Sequence, residues 1–287
     1  MKPEIVKAPI EIFGHPYTAI VQKDAEALYH LKCQFCPFSN KQCFKFRKSN
    51  PEEKIGICSV GYKGSKSDYF EPVIICPNRF EGPSSPIFDD LKEKFFPNWK
   101  NVVWTKEVNM GSTGNADFVA IDYDEDGETI KDFICIEIQA GGTTGTPYPG
   151  LEDIINKGEY KPGGYKFAIN WANEFLKTMM QQAYKKGTLV SQWGKKVIFV
   201  VQNIAMNYIG VHDNSAYRQS MDDPIIFAAY ALTWDEKKQW FALKFDNWYS
   251  TDLEGVSKIL ANQTEKQMSK KDFMKMILSK AKKDGNL

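Results

Sequence analysis

Two stretches decide how this chain folds: Asn115-Ala116-Asp117-Phe118-Val119-Ala120-Ile121-Asp122 and Phe133-Ile134-Cys135-Ile136-Glu137-Ile138-Gln139. Both have the aliphatic and aromatic character of a β-strand, and both set a carboxylate where an apolar side chain is expected. Side chains alternate along a strand. Ile134, Ile136 and Ile138 therefore face one way, and Phe133, Cys135, Glu137 and Gln139 the other. Glu137 and Gln139 then share a face, roughly 7 Å apart. An ionised carboxylate inside so apolar a run needs a partner, because desolvating it is costly. Asp124-Glu125-Asp126-Gly127 between the stretches is a turn signal, which predicts one hairpin with Asp117 beside Glu137. Two hard oxygen donors so placed suit Mg²⁺.

Composition sets the bounds. With 287 residues, 43% of them hydrophobic, the chain can build one large domain or two modest ones. A formal net charge of +1 gives no global basic field, although a nucleic-acid enzyme needs only a local positive surface. Met1 to Gly14 has no long apolar leader segment, and no run approaches the roughly 18 apolar residues of a membrane span. A soluble, cytoplasmic protein without membrane partners is expected.

Cysteine usage supports a metal. Cys33, Cys36, Cys43, Cys58 and Cys76 crowd into one segment, and in a cytosolic chain such a cluster favours metal ligation over disulfides. Cys36-Pro37-Phe38 and Cys76-Pro77-Asn78 are tight turns of the kind that hold thiolates around a tetrahedral ion. Five thiols compete for four places. Cys33 and Cys36 form the obvious first CxxC pair, but the downstream spacings do not repeat it. The bland alternative is a set of unrelated buried thiols, and Cys135 is read as packing. Lys41-Gln42-Cys43-Phe44-Lys45-Phe46-Arg47-Lys48 mixes cations with aromatics, as either a phosphate-contacting surface or a solvated loop.

Gly-Pro-Ser-Ser-Pro from residue 82 marks a boundary between a lobe at 1–85 and a core at 86–287. A short amphipathic helix runs from Phe88 towards Pro97, and Val102-Val103-Trp104 reads as a strand leading to Glu107. Gly141 to Gly164 is read as a long functional loop. Ala168, Trp171, Ala172, Phe175, Leu176, Met179, Met180 and Ala183 repeat at helical spacing, predicting a helix from about 168 to 186 that Gly187 ends. Gln181, Gln182, Lys185 and Lys186 are placed outside or beside that stripe. Lys196 to Gln202 reads as a central buried strand, Pro224–Leu232 and Gln239–Phe245 as two more, and the chain from Leu253 as lysine-rich helix. The sum is an α/β fold, a mixed β-sheet flanked by helices, with a small metal-binding N-terminal lobe.

Asp117, nineteen residues, then Glu137-x-Gln139 is a variant of the Asp…(Asp/Glu)-x-Lys arrangement of a large nuclease superfamily, and the cysteine cluster sharpens the match. The chain resembles the NotI family of type II restriction endonucleases. The resemblance lies in Ile12-Phe13-Gly14-His15, Cys36-Pro37-Phe38, Cys43, Gly56-Ile57-Cys58-Ser59-Val60, Ile75-Cys76-Pro77-Asn78-Arg79, Ala116-Asp117-Phe118, Ile136-Glu137-Ile138-Gln139 and Met180-Gln181-Gln182-Ala183-Tyr184. Together these stretches span about residues 12 to 186.

The resemblance implies a PD-(D/E)XK-type core in which Asp117 and Glu137 bind Mg²⁺ and Gln139 stands in the lysine position. It implies Cys36, Cys43, Cys58 and Cys76 as ligands of a structural iron, with Cys33 an addition; by ligand chemistry alone zinc fits equally. Double-stranded DNA cut at a palindromic site, by a homodimer that matches its symmetry, is the implied reaction. Base-reading side chains are expected in the 141–164 segment, the cysteine lobe and the C-terminal helices. Glu107 is a further acid near the site, and His15 is read as making a local structural hydrogen bond. Two rival readings are a non-catalytic DNA-binding protein built on the four-cysteine metal site, and a glycoside hydrolase using Asp117 and Glu137 as its acid pair.

Overall fold

The computed structural model describes residues 2–47, 50–64, 68–83, 85–124, 128–161, 163–210, 215–262 and 269–284. The chain opens with strand β1 (Pro9–Ile12), which turns through Phe13 and Gly14 into β2 (His15–Pro16), followed by α1 (Tyr17–Val21) and α2 (Ala25–Cys33). Gly14 has φ +83°, a conformation that costs glycine no Cβ clash. Two short ribbons come next: β3 (Phe35–Cys36) with β4 (Lys41–Gln42), and β5 (Phe46–Arg47) with β6 (Asn50–Lys54). β7 (Ile57–Tyr62) and β8 (Glu71–Ile74) complete a sheet of order β2-β1-β7-β8. Then α3 (Asn78–Glu81) and α4 (Ile87–Phe95) lead to the main sheet. Ser84, between those helices, lies outside the described residues.

The main sheet has six strands in the order β16-β15-β14-β11-β10-β9: β9 (Val102–Asn109), β10 (Asn115–Tyr123), β11 (Ile130–Gln139), β14 (Lys196–Gln202), β15 (Ile225–Asp235) and β16 (Trp240–Thr251). β9, β10 and β11 form an antiparallel meander, β11, β14 and β15 run parallel, and β16 returns antiparallel. The sheet is therefore mixed, as the sequence predicts. The hairpin of β10 and β11 pairs Phe118 with Ile136 and Ala120 with Ile134; residues 125–127 of the expected turn lie outside the described residues. β15 runs on to Asp235 and β16 to Thr251, beyond the strands read from sequence; in β16, Asn247 to Ser250 alternate too weakly to announce themselves.

Each face of this sheet has its own core. Ile134, Ile136, Ile198, Val200 and Ile226 pack with Ile87, Leu91 and Phe95 of α4. On the other face Cys135, Val197, Phe199, Phe227 and Ala229 meet the helices that follow β11. Here the expected loop at 141–164 is corrected: it holds β12 (Thr143–Gly145) and α5 (Tyr148–Lys157). Pro149 in the first turn and left-handed Gly158 after the last bracket that helix, and Leu151 and Ile154 bury its inner side. The expected helix from 168 is corrected too. Residues Phe167–Ile169 form β13 against β12, the helix begins as a π-turn at Ala172–Met179, and α6 (Met180–Gln192) carries it past Gly187. Gly187 is interior because a Cβ there would lie 2.5 Å from Ile225 Cδ1: it allows close helix–sheet approach and does not end the helix. α7 (Asn203–Tyr208), α8 (Leu253–Asn262) and α9 (Lys270–Lys283) complete the described chain.

The N-terminal sheet is fastened to the main one by polar bonds. Gln202, at the end of β14, accepts from Ile74 N–H (2.8 Å) and donates to Pro72 O (2.5 Å). Arg79 and Glu11 form a buried ion pair (2.9 Å); Ser59 Oγ donates to Glu11, and Arg79 Nη2 reaches the Phe241 carbonyl of β16 at 2.6 Å.

Candidate functional site

The pleat of β10 and β11 brings the two acids together. Continuing the register from Phe118 and Ile136 sets Asp117 across from Glu137, and Asp117 Oδ2 accepts the Ile138 N–H at 2.7 Å. Glu137 is buried, with Oε2 2.5 Å from Lys186 Nζ. Its other oxygen, Oε1, is buried with no hydrogen-bond partner among the described residues. Burial pushes the Glu137 carboxyl up to about 7 even though Lys186 draws it down, and the Asp117 charge adds to the rise. Asp117 is also raised, first by burial and then by the nearby charges of Glu107 and Glu81, against the Ile138 N–H and Lys186. Gln139 lies on the same strand face, and its Nε2 donates to Ala140 O at 3.1 Å, so its side-chain carbonyl points elsewhere.

Lys186 is the residue that sequence reasoning misplaced. It is 3% exposed, and its ammonium also donates to Asn115 O at 2.7 Å, bridging the two site strands from α6. Met179, Ala183, Lys186 and Val190 are buried on one side of the helix, so Lys186 belongs to the stripe and not beside it. A lysine at an apolar position of a helix was the available signal. Glu107 sits on β9 with a positive φ of +54°, a strained conformation for a non-glycine residue within a strand, and it is exposed. It reaches the site through its charge on Asp117.

In the N-terminal region Cys36, Cys43, Cys58 and Cys76 are all buried and line one small cavity with Phe13 and Gly56, while Cys33 is exposed and outside it. Burial, with a smaller push from neighbouring thiols, raises the Cys58 and Cys43 thiols and holds Cys76 at about 11. Backbone groups of Gly14, Gly56 and Asn78, and the charge of Lys45, act the other way. Lys45 turns inward, its ammonium donating to Ile75 O, while Phe44 and Phe46 are exposed; Lys48 of the same basic run lies outside the described residues. Among the described residues, no three of these sulfurs lie within 4.8 Å of one another, so closing a cage around an ion requires side-chain adjustment.

Such an arrangement can hold a divalent cation on the hairpin and a thiophilic ion in the N-terminal region. No helix among the described residues is long and apolar enough to cross a membrane. No curated protein sequence matches the chain closely enough to count as a relative. The family model described as restriction endonuclease NotI, however, matches residues 19–243, which takes in the cysteine cluster, the carboxylate hairpin, Lys186 and most of the main sheet. This chain belongs to the NotI restriction endonuclease family, and it is a type II site-specific deoxyribonuclease.

Proposed function

We propose that this endonuclease is a Mg²⁺-dependent, cytoplasmic homodimer that cuts both strands of a palindromic DNA site, using a PD-(D/E)XK-type core at 86–287 and a four-cysteine metal lobe at 1–85. The observation that carries the catalytic reading is the orphaned, buried Oε1 of Glu137 beside Asp117 on the same hairpin. A carboxylate oxygen in that state calls for a cation. Mg²⁺ held by Asp117 and Glu137 supplies charge neutralisation of the scissile phosphate and acidification of water. Gln139 orients the attacking water through its side-chain carbonyl. Lys186 provides the fixed positive charge that a glutamine cannot, reaching Glu137 from α6.

In the N-terminal lobe, Cys36, Cys43, Cys58 and Cys76 hold iron or zinc, with Cys33 outside the set. Four buried thiols line one cavity, and Cys43, Cys58 and Cys76, raised by burial, are stable as thiolates only with a cation among them; the Gly14, Gly56 and Asn78 backbone groups support that state. The metal is structural. It fixes the turns that carry the lobe towards DNA.

Digesting a large, fully sequenced phage DNA with and without Mg²⁺ tests this reading. Discrete fragments with mappable ends are expected, and none in excess EDTA. DNA retention without nicking would instead support the non-catalytic binding protein, and cleavage in EDTA would remove the metal. The lysine assignment has its own control. Lys186→Ala should slow cleavage by about 10²–10³-fold, and adding Gln139→Lys to that variant should restore part of the rate.

A further inference from the structure

Away from the hairpin and the cysteines, one more cluster of ligating groups converges. Phe13 and Gly14 turn the chain so that His15 of β2 faces α2. On α2, Glu26 and His30 are four residues apart and share one side of the helix. His15 Nε2 lies 2.7 Å from His30 Nδ1, and one ligand atom from each of His15, Glu26 and His30 lies within 4.8 Å of the others. Among the described residues this is the one group of three or more His, Cys, Asp or Glu side chains drawn so close. We propose that His15, Glu26 and His30 form a second metal site, for a divalent ion of the zinc class, distinct from both the carboxylate pair and the cysteine cluster.

The chemistry of the donors selects the ion. Two imidazoles and one carboxylate make a zinc-type set with a fourth position left open, whereas Mg²⁺ favours oxygen ligands throughout. His15, Glu26 and His30 all line a cavity of about 300 Å³, together with Asp24, Lys238 and Trp240 among others, with room enough for a water to complete the set. Among the described residues that line it, Lys238 is the one lysine or arginine, opposed by Asp24 and Glu26. His30 is held in place by ring contacts with Phe35 (4.8 Å) and Tyr29 (5.9 Å). Asp24 is committed elsewhere, capping α2 through the Ala27 N–H at 2.9 Å.

A simple hydrogen bond between the imidazoles accounts for two of the three groups, with one ring donating and the other accepting. It does not account for the convergence of Glu26. Two ligands at about 2.0–2.1 Å from a tetrahedral ion stand about 3.4 Å apart, so the rings need to part by less than about 1 Å. Glu26 is exposed and can swing in without disturbing packing. The ion would tie the β1–β2 turn to the helix that leads into Cys36, stiffening the lobe from a second point.

The test uses the full-length protein with its cysteine-bound metal in place. Zn²⁺ is titrated against a weak competing chelator, bound metal is counted after dialysis, and the histidine ring nitrogens are followed by NMR. The wild type should bind one more Zn²⁺ per chain than His30→Ala. Glu26→Gln should weaken that site about tenfold or more, equivalent to 1.4 kcal/mol. Ring signals of His15 and His30 should move on saturation; the sequence has three histidines, so assignment is direct. Equal metal content in wild type and His30→Ala, with unmoved rings, overturns the proposal and leaves a hydrogen-bonded pair. If His30→Ala fails to fold, the wild-type ring shifts decide alone.

Discussion

Glu137 shows what the sequence can and cannot disclose about a single residue. Its place on a strand, its neighbour across the hairpin and its need of a partner all follow from alternation and from the cost of a buried charge. Its actual partner does not. Lys186 is forty-nine residues away on α6, and nothing local announces which apolar-stripe position will meet which strand. The pair has a pH signature. Burial holds the folded carboxyl up at about 7 against the ordinary 4.5 of a free glutamate, so between those values the metal-free folded protein holds a proton that the unfolded chain has released. Stability of the metal-free protein from this group therefore falls as pH rises through that window. Mg²⁺ competes with the same proton, so its affinity should rise about tenfold from pH 6 to pH 8. The measurement is the Mg²⁺-induced increase in Tm: larger at pH 8 supports the assignment, and an equal increase at both pH values contradicts it.

Among the elements, the strongly periodic ones were legible and the composite ones were not. β14 reads as an unbroken apolar strand because it is buried on both faces between parallel neighbours. α5 is hidden by its glycine and proline content, although Pro149 sits in its first turn and Gly158 just past its end, where a helix tolerates them. The π-turn at Ala172–Met179 shifts the helical phase before α6, and Gly187 disguises a helix interior as an end. Packing explains that glycine. Gly187→Val drives a branched side chain into Ile225, and should lower stability by about 1–3 kcal/mol in urea unfolding. An unchanged midpoint would mean that α6 lies farther from the sheet than described. Since Lys186 is the next residue, the same variant should also reduce cleavage more than its stability loss explains.

At the scale of the molecule, Glu11, Arg79 and the Phe241 carbonyl join the N-terminal sheet to the edge of the main one. Arg79 is 6% exposed and lies over Phe38 at 4.8 Å. Removing it strands a buried carboxylate, so Arg79→Ala should cost about 3–5 kcal/mol, with partial recovery when Glu11→Gln is added. The cysteine region folds onto this junction, since Cys76 lies three residues before Arg79. Cys76→Ser should release its metal and lower Tm, while Cys33→Ser should do neither; elemental analysis and a thermal melt compare them. None of this long-range assembly is written in local pattern. Only the spacing of cysteines, acids and turns hinted at it. In the proposed reading the hairpin acids decide the chemistry, and one rate tests them most directly: single-turnover cleavage of a mapped duplex by Asp117→Asn at saturating Mg²⁺. Asparagine keeps an oxygen for the Ile138 N–H while removing the charge. A fall of about a thousandfold or more is predicted, several kcal/mol of transition-state stabilisation, whereas a rate within about threefold of the wild type, under 1 kcal/mol, would contradict a metal gripped by this pair.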